Sequence, residues 1–348
     1  MRLFWAFTAF VTVAVAAFGA DIALIRVSDR QQKFAEGLSR EFESSKKANT
    51  QVLVRADGWL FFVPELRLLS VGKFWGPEAR QIAPGRNPDE ADPTVAIVDF
   101  CNQLKQRGIG LLLVPVPPKA AIYSDKVLPG FDLHDENAAP YLTRFYDELR
   151  GNGVEVLDLA PLFSQQRDSD RGPVFCKTDT HWSGYGCVLA AHAMAEKLKL
   201  SAPSRHDYAT NWKQIEMSGD LVTLLPHGAT KPGMEKIFVR EVGERASGRP
   251  VQPDPDSPLL IMGDSHTLVY HDFLAQAAGL VDQLADELGF PPDLIGTRGS
   301  GAAAVRVDLY RRTRKNPGYL AKKKMIVWCF SAREFTEADA WPRIPVSK

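Results

Sequence analysis

Two periodicities take turns along most of this chain. The segment "TVAIVDFCNQLKQRG" (94–108) places apolar residues at helical spacing and ends on glycine, which predicts a helix and its stop. It runs into "IGLLLVPVPP" (109–118), an unbroken apolar stretch halted by prolines, the pattern of a strand buried on both faces. Helical spacing recurs in "YLTRFYDELRGNG" (141–153), "CVLAAHAMAEKLKL" (187–200), "HDFLAQAAGLVDQLADELG" (271–289) and "AVRVDLYRRTRKN" (304–316). Short strands are expected at "VEVLDLA" (154–160), "PLLIMGDS" (258–265) and "KKMIVWCF" (323–330). Upstream, "QVLVRADGWLFF" (51–62) has the pattern of a hairpin turning at Asp57-Gly58. Alternation of this kind predicts an α/β fold with a mainly parallel sheet. Residues 201–257, Pro-rich toward their end, form a long excursion between core elements, and no internal repeat is visible.

The alternation is absent at the N-terminus. From Leu3 to Leu24 the chain is apolar but for two threonines, a glycine and Asp21. A helix of roughly 20 such residues crosses a bilayer. Cleavage after Ala20 would set Phe18 at −3, where a signal peptide needs a small residue, so residues 1–27 are read as an uncleaved signal anchor. The polar residues 28–50 then make a helical or flexible stalk, and the folded domain takes 51–348. Arg26, Arg30 and Lys33 follow the span while Arg2 precedes it, a balance that by itself would keep the body in the cytoplasm.

Composition adds exclusions. The 348 residues carry 42 basic and 42 acidic side chains, so bulk charge gives no footprint for nucleic acid. The basic run "LYRRTRKNP" (309–317) reads as the solvated face and end of a helix. Four cysteines (Cys101, Cys176, Cys187, Cys329) permit disulfides without demanding them; a Cys176–Cys187 bridge would clamp the loop between, and buried free thiols are the plainer alternative.

In an open parallel sheet, ligands bind beyond the carboxyl ends of the strands. That rule points to the loops after residue 118, around 177–183 and around 263–267. In "IMGDSHT" (261–267) an apolar strand runs into Gly263, Asp264 and Ser265, which presents a serine hydroxyl at a strand end. Serine is a weak nucleophile at neutral pH and needs a base within hydrogen-bond reach. "KTDTHWSGYG" (177–186) offers His181 as that base and Asp179 to orient it; two apart in an extended segment, they share one side of the chain. Plainer readings exist for both stretches: Ser265 as a helix cap, Asp179 and His181 as a turn before a helix capped by Ser183, or a metal set of Asp179, His181 and Asp264 or His266, although no HExxH-like spacing is present. His266 and His271 flank the serine and read as structural.

A strand ending in GDS, with an Asp–His pair, resembles the SGNH/GDSL hydrolase superfamily. There GDS ordinarily comes first; here the pair precedes Ser265 by 84 residues and is spaced D-x-H. That order, with "DTHW" (179–182), "DGWLFF" (57–62), "VPVPPKAAIYSDKVLP" (114–129) and "VWCFSAREF" (327–335), resembles the alginate O-acetyltransferase AlgJ/AlgX-like family. The resemblance implies a three-layer α/β/α domain, anchored at the periplasmic face of the inner membrane, that moves acetyl groups onto hydroxyls of an exopolysaccharide. It opposes the cytoplasmic placement given by the Lys/Arg balance.

The resemblance also implies roles. Ser265 would be nucleophile, His181 base and Asp179 orienter, with a multi-spanning membrane O-acyltransferase as acetyl donor and no cofactor or metal. Gly299 or Gly301, in "RGSGA" (298–302), is the candidate for a backbone oxyanion donor. Lys119 and Tyr123 are candidates to line the site, Trp182 either stacks on a sugar or anchors its loop, and Arg333 either serves the site or makes a structural ion pair. Two other functions share much of this pattern: an acetylesterase with water as acceptor, and a silent polysaccharide-binding subunit of a secretion complex.

Overall fold

The computed structural model describes residues 27–85, 87–200, 205–299 and 301–347. The expected anchor falls almost wholly outside them, and among the described residues no helix is long and apolar enough to cross a membrane. The expected stalk is a helix, Asp29–Lys47, opened by a capping box at Ser28 and Gln31. It lies on the body rather than standing off it: Phe34 and Leu38, one turn apart, are buried in the main core, and Arg30 reaches Glu136 at 2.7 Å.

The strands are β1 (Val52–Val54), β2 (Leu60–Phe62), β3 (Gly110–Val116), β4 (Glu155–Val156), β5 (Tyr208–Met217), β6 (Glu235–Glu244), β7 (Leu259–Gly263), β8 (Asp293–Gly296) and β9 (Met325–Ser331). β1 and β2 make the expected hairpin, with Asp57 and Gly58 both in the left-handed backbone that such a turn demands (φ 56° and 79°). A five-stranded sheet in the order β4-β3-β9-β7-β8, parallel throughout, forms the centre. β3, β7 and β9 are buried almost end to end, which is why their sequences are continuous apolar runs. Val116 pairs with Ser331 and Gly263 with Cys329, so the loops after β3, β7 and β9 emerge along one edge.

Two expectations are corrected and two features are added. The helix expected over 271–289 is confined to Leu280–Leu288. Ahead of it Tyr270, Leu274 and Ala277 take left-handed backbone, which no helix admits, and the Asp282 carboxylate caps the helix by accepting the Gly279 N–H at 2.9 Å. The 201–257 excursion carries β5 and β6, a two-stranded antiparallel ladder of ten residues a side. β8 ("DLIG") was too short to stand out as a period. The strand expected over 154–160 is two residues long and passes into a helix, Ala160–Gln166, opened by Pro161. The basic run ends the helix Ala302–Lys315 as expected, with Arg311 and Arg314 exposed.

Candidate active site

β7 ends at Gly263, where any side chain would strike the Cys329 carbonyl 1.8 Å from its first carbon. The next residue turns the chain. Asp264 spends one carboxylate oxygen on the His266 N–H (2.9 Å) and the other on the Ser331 N–H of β9 (2.8 Å). Burial pushes the Asp264 carboxyl up, but the His266 imidazole, the Arg333 charge and the Ser331 N–H together hold it well below the usual carboxylate range. The result is a tight helical turn, Ser265–Thr267, that starts on the serine. Ser265 is partly exposed, and its backbone N–H has no partner among the described residues, so it is free to face an oxyanion.

The second loop belongs to no sheet. A bridge between Phe175 and Trp182 closes residues 176–181, and Ser183 caps the helix Gly184–Leu198 that follows. Within the loop, Asp179 Oδ1 lies 2.6 Å from His181 Nδ1 and accepts the His181 backbone N–H at 2.9 Å. His181 Nε2 lies 2.7 Å from Ser265 Oγ. Asp179 and His181 are buried. Burial raises the cost of the Asp179 charge, yet the imidazole and two backbone N–H groups outweigh it and draw the carboxyl down to about 2. Burial likewise opposes an imidazolium at His181, but the Asp179 hydrogen bond and the charges of Asp179, Asp220 and Asp264 lift it above the ordinary histidine value.

Side chains from three other regions hold this loop. Lys119, expected to line the site, lies beneath it: the buried ammonium donates to the carbonyls of Cys176 (3.0 Å), Lys177 (3.2 Å) and Asp179 (2.8 Å). Glu235, first residue of β6, accepts from the N–H groups of Lys177 (2.7 Å) and Thr178 (2.9 Å) and from the Thr178 hydroxyl (2.8 Å). Asp220 accepts from the Thr180 N–H (2.8 Å) and hydroxyl (2.5 Å), and its own N–H donates to Asp179 Oδ2 at 2.7 Å. Asp220 and Glu235 escaped sequence reasoning because they sit in the excursion. Nothing in the local pattern sets these two apart from the other acids of that segment.

The remaining expectations sort themselves by position. Trp182 is fully buried against His266 (ring centroids 5.3 Å apart), so it anchors the loop and offers no face to a sugar. The Tyr123 hydroxyl donates to the Arg167 carbonyl and accepts the Val174 N–H, both at 3.0 Å, and so braces the chain ahead of the loop rather than lining the site. Gly299 is exposed in a left-handed turn (φ 67°). A side chain at Gly301 would meet the Glu334 carboxylate at 1.5 Å. Neither glycine has a described bond to Ser265. Arg333 donates to Ser331 Oγ (3.1 Å) and faces the buried Glu65 at 3.6 Å. His266 pairs with Asp264 at 3.1 Å, and burial pulls its pKa below the ordinary histidine value against the pull of the Asp264 charge. His271 pairs with Asp282 at 2.9 Å. All four cysteines are free and buried, so the loop is not clamped by a disulfide; the Cys176 thiol meets the Tyr270 hydroxyl at 3.2 Å instead.

Ligand atoms of Asp179, His181 and Asp220 lie within 4.8 Å of one another, close enough for a cation. Each is already committed, to its neighbour or to Thr180, which is the bonding of an acid–base pair rather than an open metal cradle. The arrangement is a serine, a histidine and an aspartate in one line of hydrogen bonds, the geometry of nucleophilic acyl transfer.

Comparison with known proteins identifies the family. Residues 52–315 match the model of a family described as SGNH hydrolase-like domain, acetyltransferase AlgX. The chain belongs to this family. Among individual members, "Probable alginate O-acetylase AlgJ" of Pseudomonas aeruginosa is 28% identical over 182 residues, half of this chain and 41% of that protein. Its namesake in Pseudomonas syringae pv. tomato is 25% identical over 240 residues, 65% of this chain and 56% of that one. The chain thus spans about half the length of the curated relatives it matches. In fold, it is similar to the O-acetyltransferase domain of Pseudomonas putida AlgJ (TM-score 0.60, 21% identity, 82% of this chain and 92% of that one) and to Pseudomonas aeruginosa AlgX (TM-score 0.57, 17% identity, 81% and 62%). Membership in the AlgX family brings an SGNH-like α/β domain with it, and the parallel sheet described above is that domain's core.

Proposed function

We propose that this protein is a serine O-acetyltransferase that moves acetyl groups to hydroxyls of an exopolysaccharide. The observation that carries the proposal is the continuous line Asp179–His181–Ser265, 2.6 and 2.7 Å at its two links, inside a domain of the AlgX family. Ser265 Oγ attacks the carbonyl carbon of an acetyl ester while His181 Nε2 takes the hydroxyl proton. The carbonyl oxygen becomes an oxyanion facing the Ser265 N–H; on its collapse the ester C–O bond breaks, and His181 returns the proton to the departing alkoxide. An acceptor hydroxyl, deprotonated by the same histidine, then attacks the acetyl-serine, and Ser265 leaves with the proton. Asp179 keeps the imidazole in the tautomer that accepts from serine and steadies its charged form.

The names of the relatives support an alginate-like polymer as acceptor. The apolar run 3–24 supports a membrane tether, and the resemblance to the family, against the Lys/Arg balance, supports the periplasmic face of the inner membrane, where a multi-spanning O-acyltransferase would present acetyl. The test is a chromogenic acetyl ester offered with and without an oligosaccharide. A burst equal to the enzyme concentration, followed by acetylated sugar, is expected. Acetate as the sole product would make the protein an esterase, and binding of sugar without any burst would make it a silent subunit.

A further inference from the structure

Beyond the triad, the edge of the site carries a cation with no assigned partner. Phe273, half-buried in the loop after β7, stands edge-on to the His181 ring with centroids 5.7 Å apart. Arg298, in the loop after β8, lays its guanidinium over the Phe273 ring, 3.8 Å from the centroid. Imidazole, phenyl ring and guanidinium are thus stacked in sequence outward from the base. Arg298 is exposed and makes no ion pair or side-chain hydrogen bond among the described residues.

Stacking fixes one face of the guanidinium and leaves its N–H edges open. A planar fork held that way is suited to a carboxylate, which it can meet with two parallel bonds. Gly299, next in the chain, takes a left-handed backbone that a side chain would strain. The acids nearest the base are otherwise engaged: Asp179 with His181, Asp220 with Thr180, Asp264 with His266 and Ser331.

We infer that Arg298 reads the acceptor: it binds the carboxylate of a uronate residue and so brings a hydroxyl of that sugar to His181. The inference rests on the transferase reading above, whose alginate-like acceptor is already acidic, and adds the residue that recognises its carboxylate. Arg298 does not touch the reacting atoms; it is a specificity-determining residue.

The experiment compares two acceptors, an oligo-alginate and the same oligosaccharide after reduction of its carboxyl groups. Wild-type protein should favour the acidic acceptor. Arg298→Gln should cut that preference (the ratio of kcat/KM values) by about tenfold, through KM for the acidic acceptor. Arg298→Lys, which keeps charge but loses fork and stack, should restore only part of it. An unchanged ratio in Arg298→Gln, or a wild type indifferent to carboxyl reduction, would overturn the inference while leaving the acetyl transfer standing. Ester hydrolysis with no transfer to either acceptor would instead bring down the transferase reading, and this inference with it.

Discussion

The two loops that meet at the site are built by opposite means. The Ser265 loop is an extension of the sheet: Gly263 fits under the Cys329 carbonyl and Asp264 bonds the Ser331 N–H, so backbone fixes backbone. The loop that carries Asp179 and His181 has no strand of its own beyond a single bridge. Side chains far apart in sequence, Lys119, Asp220 and Glu235, hold it from outside, chiefly through its peptide groups. The nucleophile thus owes its place to topology, and the base owes its place to charged side chains bonded to the peptide groups of its loop. Damage to the first should abolish chemistry at one atom, whereas damage to the second should spread from stability to pH dependence.

The largest effect is expected from Ser265→Ala, which should lower turnover of an acetyl ester by about 10⁵–10⁶-fold with the thermal melt unchanged. Asp179→Asn comes next, with a loss of about 10³–10⁴-fold in kcat, because an amide at that position favours the wrong imidazole tautomer. A fall of less than tenfold would remove Asp179 from the line. Lys119→Met should cost about 3–5 kcal/mol in urea denaturation, since it strips three carbonyls of their donor and leaves Glu65 buried beside one cation fewer. That variant separates the two modes of construction: activity should fall with the fold of the histidine loop while Ser265 keeps its seat on β7. The smallest change is Asp220→Asn. His181 must be neutral to act as base, so activity rises with pH through its raised pKa. Removing the Asp220 charge takes away one of the groups that lift it, so the acid limb of kcat/KM should move to lower pH.

The same contrast decides what could be seen in the sequence. β3, β7 and β9 were legible because strands buried on both faces must be continuous apolar runs, and GDS was legible because it closes such a run. Asp179 and His181 were legible as a pair. Their support was not: a lysine bonded to three backbone carbonyls leaves no periodic trace, and Lys119 looked like a residue of the site rather than its floor. The 271–289 segment misled for a related reason. Its apolar spacing fits a helix, but Tyr270, Leu274 and Ala277 adopt left-handed backbone that local propensity disfavours, so tertiary contacts overrode the pattern. That irregular stretch is the one that sets Phe273 against His181.

The position of β9 carries a further consequence, for the order in which this protein can be made. It is the last of the described strands in sequence, yet it lies between β3 and β7 at the middle of the sheet. Until Met325–Ser331 has left the ribosome, the strand that bears the nucleophile lacks one neighbour, and Asp264 has no Ser331 N–H to hold. A nascent chain therefore contains Asp179, His181 and Ser265 for some time without containing a site. Chemistry arrives only when one strand slots into the gap and closes the sheet.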